Sequence, residues 1–378
     1  MSRQRGAAVE LLVQCLREQP AFDWRRACEL IERTTPEAIL EAADYHGVSG
    51  WIYSRLSRCP SIPERLIAPL RTRYDAAVRR HLRATWELAG LAPVLDASGA
   101  RWAVIKGPAV VELIYLDPGL RPYGDIDVIV EPGRFAHAVA ALERSGSPVM
   151  DRNWEVIRRD RLGELHVRLP RGTLLDLHWN LVNMYRGQIA IDTESLLRRA
   201  ERVELCGVNA PTLDPTDSLI HVAMHGTLAG GDKLRWIKDT EMLARVRPPD
   251  WEALVQRAED WGVAPAVGLL LRRSNAVLGA PIPEWTYRRL LGKRYERLVT
   301  IIDRLSPWQR ATGRVTTPSL LLTRSMGLGL YGAFRWLIAR SVMHFDPREP
   351  GASSNFTERG DEEDRAAFFA DVMASSRR

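Results

Sequence analysis

The feature that most constrains the fold of this sequence is the position of its possible strands. Apolar residues recur at three- and four-residue spacing from Gly6 to Gly90 and again from Thr216 to about His344, and this spacing predicts helices. Short apolar runs bounded by turn residues predict strands only in the middle third of the chain. We therefore expect an α+β protein, in which a small mixed sheet with helices is flanked by N- and C-terminal helical regions.

The strand candidates fix a provisional domain map. They cover residues 101–105, 126–130, 164–169 and 173–179, and the last two flank Pro170-Arg171-Gly172, which predicts a hairpin turn. We assign residues 1–92 to an N-terminal helical region, 93–205 to the core, 206–345 to a C-terminal helical region and 346–378 to a partly flexible tail. The tail is expected to close in one short helix, from Glu362 to Ala374.

Three acidic residues are embedded in two of the predicted strands. Asp125 and Asp127 alternate with apolar residues in GDIDVIV, and Asp176 lies in LLDLHW, two residues before His178. Residues two apart on a strand point to the same face, so Asp125 pairs with Asp127 and Asp176 with His178. Such carboxylates can hold Mg²⁺, although a cap for Asp125 and an edge-strand role for Asp127 are the structural alternatives. For His178, a structural hydrogen bond and a role beside the site are both open.

A phosphate-binding turn is predicted directly after the first strand. Lys106-Gly107-Pro108 lies where a strand ends and a helix begins, and free backbone N–H groups favour anions at such a place. Gly107 would allow close approach of a phosphate, while Lys106 or Arg121 could neutralise its charge. Gly124, directly before the first acid, is grouped with them as a nucleotide-binding residue.

These motifs occur in the order of a known family. The segments IKGPAVVELIYLDPGLRPYGDIDVIV and LLDLHWNLV resemble the uncharacterised bacterial nucleotidyltransferase family of the DNA-polymerase-β-like superfamily. The flanking segments DYHGVSGWIYSRL and HVAMHGTLAGGDKLRWIKDTEMLAR are also similar to that family. The resemblance implies a polymerase-β-like core, with Gly107 at the phosphate and Asp125, Asp127 and Asp176 as catalytic metal ligands. Pro108 departs from the superfamily, which usually has serine or glycine after the turn glycine.

The resemblance also implies a reaction. It is the metal-dependent transfer of a nucleoside monophosphate from a nucleoside triphosphate, with ATP expected, to a hydroxyl acceptor, and pyrophosphate is released. Mg²⁺ is the expected metal and Mn²⁺ the alternative; the acceptor is a small molecule, a peptide or a protein. The alternatives are a tailoring transferase of peptide or natural-product biosynthesis and a non-catalytic nucleotide-binding partner module. A nucleic-acid partner is a weaker alternative that salt-dependent affinity would reveal.

The C-terminal helical signature adds supporting candidates. Lys238 and Asp239, together with His178, could stand behind the metal ligands and orient them. His221 and His225 are four residues apart on one helix face, but no HExxH glutamate accompanies them, so packing or substrate contact is the preferred interpretation.

Composition restricts the setting of the protein. A net charge of +6 and a pI near 9.3 are too modest to require nucleic acid. The four cysteines have no metal-ligand or redox spacing, and the N-terminus lacks a signal-peptide pattern, so we expect a reduced, cytoplasmic protein. Residues 318–344 are the nearest to a membrane segment, but Arg324, Arg335 and Arg340 interrupt them, which argues against a spanning helix. A core helix is the preferred interpretation, and a membrane-surface helix is the alternative.

Overall fold

The structure, a computed structural model, describes residues 2–18, 20–59, 62–182, 189–305, 317–343, 355–356, 358 and 360–375. It confirms the mixed α+β class, with helices on both sides of a strand-containing middle. Its contacts divide the chain into two compact units. The helical unit comprises Met1–His81, Val110–Tyr123 and Leu219–Gly327, and the sheet unit comprises Leu82–Ala109, Gly124–Ser218 and Leu328–Arg378.

The helical unit is built from most of the helices that the periodicity predicts. Its N-terminal segments are α1 (Ser2–Leu16), α2 (Trp24–Glu32), α3 (Pro36–His46), α4 (Ser49–Leu56) and the first half of α5 (Glu64–Ala97). The short α6 (Pro108–Val110) begins at the end of the sheet unit and continues into a π-helical turn, Val111–Tyr115. Then come α10 (Pro215–Leu228) from Leu219 onward, α11 (Leu234–Val246), α12 (Trp251–Asp260), α13 (Ala264–Leu278), α14 (Glu284–Leu305) and the first part of α15 (Thr317–Met343).

Local sequence explains where individual helices begin and end. The hydroxyl of Thr35 accepts the backbone N–H of Ala38, Pro36 fills the first turn of α3, and Gly47 ends that helix in the left-handed region. The predicted core helix at 318–344 corresponds to α15, which is kinked at Gly329, while His344 lies outside the described residues. Within the part of the chain that is described, no helix combines the length and apolarity needed to cross a bilayer.

A close backbone contact fixes the loop before the acidic strand within the helical unit. A Cβ atom on Gly50 of α4 would lie only 1.9 Å from the carbonyl oxygen of Gly119. The Tyr74 hydroxyl donates to the Asp117 carboxylate at 2.8 Å in the same loop. Because any side chain at position 50 would displace the loop backbone, glycine is required there.

The sheet unit contains one six-stranded mixed sheet. Its strands are β1 (Trp102–Val104), β2 (Asp125–Val130), β3 (Glu164–Arg168), β4 (Leu174–His178), β5 (Glu201–Leu205) and β6 (Val208–Thr212), in the order β3-β4-β2-β1-β6-β5. All four predicted strands are present, and β3 and β4 form the predicted antiparallel hairpin. Two strands were missed, β5 and β6, and the sheet continues to Thr212, beyond the predicted end of the core at residue 205.

The sheet unit also contains helices, and some of them pack against one another. They are α7 (Phe135–Arg144), α8 (Trp154–Asp160), α9 (Thr193–Arg199), the second half of α5 and α16 (Glu362–Ser375). The last of these is the short helix predicted in the tail. Phe368 of α16 lies 5.9 Å from the Trp154 ring, and Arg365 bonds Glu143 at 2.7 Å, so this end of the tail is packed. The opening of the tail, residues 346–354, lies outside the described residues.

Candidate active site

A row of three polar residues crosses adjacent strands of the sheet. In the parallel pairing of β2 with β4, Asp127 is the direct partner of Asp176, and in the antiparallel pairing of β4 with β3, Asp176 faces His166. Strand neighbours are about 4.8 Å apart, so side chains of one row on the same face come within reach of a shared ligand. The two acids that the sequence places on separate strands are therefore brought together.

Asp127 is buried and ion-paired. Only 1% of its side chain is exposed, and its Oδ1 lies 2.7 Å from Lys106 Nζ and 3.3 Å from His178 Nε2. Burial alone would raise the pKa of Asp127, but the ammonium of Lys106 and the hydrogen bond from His178 outweigh it and hold that pKa below its usual value. Asp127 is thus a carboxylate at neutral pH, and its partner is a residue of the predicted phosphate turn.

The two cations beside Asp127 are stabilised in turn. Burial opposes the charge on Lys106, but Asp127, Asp125 and Asp176 raise the pKa of its ammonium above the usual value. Burial likewise opposes the charge on His178, whose pKa is raised by Asp127 and by Glu164, with Glu164 Oε2 3.1 Å from His178 Nδ1. The predicted alternation that puts His178 on the face of Asp176 is consistent with these contacts.

Asp176 has a different environment from its partner. Burial is the main cause that raises its pKa to about 7, and the negative charges of Asp127, Asp125 and Glu164 add to it. Its Oδ1 is buried and has no hydrogen-bond partner among the described residues. The arrangement therefore contains excess negative charge, which a bound cation would offset.

The remaining predicted residues of the sheet unit surround this pair. Asp125 is half-buried, two residues before Asp127, and its charge reaches Lys106 and Asp176. Gly107 adopts a φ of +60°, which only glycine adopts without strain, and it separates the Lys106 side chain from the start of α6. Gly124 is exposed, and nothing lies within 4 Å of the place where a Cβ would stand.

Three functional candidates were missed by the sequence analysis. Glu164 and His166 alternate on β3 as Asp176 and His178 do on β4, and Asp151 lies before α8, the helix that precedes β3. Asp151 Oδ1 is 3.1 Å from His166 Nδ1, and its other oxygen accepts the His166 backbone N–H. The hydrogen bond between the Asp151 carboxylate and the His166 side chain is the main cause that raises the pKa of His166 to about 9, against the effect of burial. The sequence contained one signal for Glu164 and His166: they alternate in the segment ELH, on a strand that was already predicted to pair with β4.

Among the described residues, two overlapping groups have donor atoms within 4.8 Å of one another in the sheet unit. One group comprises Asp127, Asp176 and His178, and the other comprises Glu164, His166 and Asp176. The Asp125 carboxylate is in neither group. Each group offers two carboxylates and one imidazole, and the carboxylate oxygens suit Mg²⁺ and Mn²⁺.

The other predicted residues belong to the helical unit and form buried pairs there. Arg121 Nη2 lies 3.0 Å from Asp239 Oδ2, and the Tyr115 hydroxyl donates to Asp239 Oδ1 at 2.6 Å. Lys238 Nζ bonds Glu18 at 2.6 Å and Glu241 at 2.9 Å. Both Arg121 and Lys238 thus have carboxylate partners within their own unit.

His221 and His225 pack side by side on α10 of the helical unit. Their ring centroids are 6.1 Å apart, and the His225 ring is 4.8 Å from the Trp236 ring. His221 is buried at 1% exposure. These contacts agree with the packing interpretation.

A six-stranded mixed sheet in a chain that is helical on either side of it in sequence is consistent with a nucleotidyltransferase core. A family model described as an uncharacterised nucleotidyltransferase matches residues 32–279, which is about two thirds of the chain. The chain belongs to this uncharacterised nucleotidyltransferase family. No curated protein matches it.

Proposed function

We propose that this protein is a divalent-metal-dependent transferase that moves a nucleoside monophosphate from a nucleoside triphosphate, with ATP as the expected donor, to a hydroxyl group. Pyrophosphate is the second product. The acceptor is a small molecule, a peptide or a protein. Family membership supports the nucleotidyl-transfer part of this proposal.

One observation carries the proposal: Asp127 and Asp176 are direct partners across the parallel β2–β4 pair, in a buried site that also contains a cation. Asp127 is buried and Asp176 is partly buried, and carboxylates at strand spacing repel each other; burial first, and then the charge of Asp127, raise the pKa of Asp176 to about 7. A fold that needed only stability would gain little from such a pair, because burying unpaired charge is costly. A bound divalent cation would offset the repulsion between the two carboxylates, because each of them would be attracted to it.

The residues of the site fit Mg²⁺ or Mn²⁺. Asp125, Asp127 and Asp176 would supply hard oxygen ligands, and the buried Asp176 Oδ1 still lacks a donor among the described residues. When bound, the metal would supply charge neutralisation for the triphosphate and polarise the reacting oxygen. In this proposal Asp176 also assists the deprotonation of the attacking hydroxyl.

The turn after β1 is proposed to hold the triphosphate. Gly107 has no side chain to obstruct a phosphate, and its positive φ sets the backbone between Lys106 and Pro108. Lys106 Nζ lies 2.7 Å from Asp127, so its positive charge is close to the proposed metal ligands and would balance the negative charge of the leaving pyrophosphate. Gly124 leaves open space before Asp125, while Arg121 remains a weaker phosphate candidate because it is paired with Asp239.

The test is a labelled-transfer assay on the full chain. Each α-³²P nucleoside triphosphate is incubated with Mg²⁺ or Mn²⁺ and with a cell extract as the acceptor source, and pyrophosphate, protein and small-molecule products are separated. We expect label in one product fraction with the wild type and none with Asp127→Asn. The position of the label identifies the acceptor class.

A matched control separates loss of chemistry from loss of structure. Glu204→Gln removes an exposed carboxylate from β5 of the same sheet and should transfer as the wild type does. Circular dichroism of Asp127→Asn should show a folded chain. Transfer by Asp127→Asn at the wild-type rate would overturn the proposal; metal-dependent nucleotide binding without any product would favour the non-catalytic binding module instead.

A further inference from the structure

The β3 side of the site has ligands that the proposed transfer does not use. His166 is the direct partner of Asp176 across the β3–β4 ladder, and Glu164 is the partner of His178. Glu164, His166 and Asp176 offer one donor atom each within 4.8 Å of one another. The row Asp127, Asp176, His166 therefore continues one strand beyond the pair of acids.

His166 is held in the orientation of a metal ligand. The Asp151 carboxylate, fully buried, lies 3.1 Å from His166 Nδ1, and Asp151 also accepts the His166 backbone N–H. The opposite nitrogen, Nε2, is 4.0 Å from Asp176 Oδ1, the buried oxygen without a hydrogen-bond partner among the described residues. A carboxylate behind an imidazole is the usual support of a histidine that binds metal, because it fixes the ring and raises its basicity.

The two groups that share Asp176 each offer two carboxylates and one imidazole, but the two imidazoles differ in their contacts. Both nitrogens of His178 lie against carboxylates, with Nε2 3.3 Å from Asp127 and Nδ1 3.1 Å from Glu164. His166 has Asp151 at Nδ1 and faces Asp176 Oδ1 with Nε2 at 4.0 Å, and imidazole ligands favour first-row transition metals over Mg²⁺. Two cations that share a bridging carboxylate are typically about 3.5–4 Å apart, a separation close to one strand spacing.

We propose that Glu164, His166 and Asp176 form a second cation position, selective for a first-row transition metal such as Mn²⁺, with Asp151 as the residue that orients His166. Asp176 then bridges this position and the one beside Asp127. The inference deepens the proposed function and rests on it for the role of Asp176, but its test does not require turnover.

The test is Mn²⁺ binding to the full chain without nucleotide. Equilibrium binding is followed by electron paramagnetic resonance, and nitrogen coupling is detected by pulsed measurement on protein with ¹⁵N-labelled histidine. We expect one histidine nitrogen coupled to Mn²⁺ in the wild type and no coupling in His166→Gln. Asp151→Asn should keep the coupling but weaken Mn²⁺ binding by about 10–100-fold, the usual effect of losing the partner behind a ligand.

Two histidine variants serve as controls. His137→Gln removes an exposed histidine on α7 of the same unit and should leave coupling and affinity unchanged. His178→Gln should also retain coupling, because both His178 nitrogens already face carboxylates. Coupling that survives His166→Gln, or that disappears only with His178→Gln, would overturn the assignment.

The outcome is separable from that of the transfer assay. Label transfer by a wild-type protein that binds Mn²⁺ without nitrogen coupling would leave the proposed function standing and refute the second position. Nitrogen coupling lost in His166→Gln, together with no transfer to any acceptor, would support the second position and refute the transfer.

Discussion

The role of Arg121 can be decided by removing the charge that it faces. Asp239 is fully buried, Arg121 is 4% exposed, and two hydrogen bonds from Nε at 3.3 Å and one from Nη2 at 3.0 Å join them. Asp239→Leu would remove the carboxylate that faces the buried Arg121 guanidinium and accepts the Tyr115 hydroxyl. We expect the free energy of unfolding to fall by about 3–5 kcal/mol, the cost of breaking a buried pair from one side.

The assay is urea unfolding of the full chain at 25 °C, followed by tryptophan fluorescence. Trp236 is one of the 12 tryptophans that contribute to this signal, and the Arg121 guanidinium lies 5.9 Å from its ring centroid. The double variant Arg121→Met/Asp239→Leu removes both charges and should be more stable than the sum of the single losses, since an uncharged pair leaves no buried ion. Two compact units can unfold in separate transitions, so only the one that the variants shift is analysed.

This experiment contrasts two roles of Arg121. If the buried pair is structural, Arg121→Met destabilises the protein strongly and has little separate effect on nucleotide affinity. If Arg121 instead binds phosphate, as the sequence suggested, Arg121→Met weakens nucleotide binding while the stability changes little. A loss of less than about 1 kcal/mol in Asp239→Leu, or strictly additive variants, would refute the structural reasoning.

Three further predictions concern Asp127, Lys106 and Cys15. Asp127→Asn should lower the rate of transfer by at least about 100-fold, because loss of a residue that only orients a metal ligand costs up to about 100-fold. The circular dichroism of this variant should match that of the wild type. A smaller loss of rate in the labelled assay would contradict the role of Asp127 as a metal ligand. Lys106→Met removes the ammonium that lies 2.7 Å from Asp127, so without metal the variant should melt at a lower temperature than the wild type. Saturating Mn²⁺ should raise the melting temperature of the variant more than that of the wild type, because the metal would take over the role of the ammonium beside Asp127. Equal increases in melting temperature, measured by calorimetry, would contradict this prediction. Burial raises the pKa of the Cys15 thiol from 9.0 to about 12. The preference of the folded chain for the protonated thiol is therefore fully present below about pH 9, and its contribution to stability is lost as the pH rises toward 12. At pH 8, iodoacetamide should therefore modify half-buried Cys28 well before Cys15, as peptide mass spectrometry would show, and equal rates would be inconsistent with this burial.

Local pattern was sufficient for most of the elements. The predicted helices on both sides, the four predicted strands and the hairpin at 170–172 are all present, because helical and strand periodicities depend on residues close in sequence. The two missed strands have weaker local signals. Val208–Thr212 contains Asn and Pro, both depleted in strands, and it is ordered by pairing with β5 and β1.

The sequence by itself determined which residues share a face: Asp125 with Asp127, and Asp176 with His178, because side chains alternate along any strand. Only the tertiary structure decided that β2 and β4 are parallel neighbours, which makes Asp127 and Asp176 direct partners although 48 residues separate them. The register of two distant strands depends on the packing of the whole sheet, which no local pattern encodes. The same reason explains Arg121, whose acidic partner in the helical unit is 118 residues away.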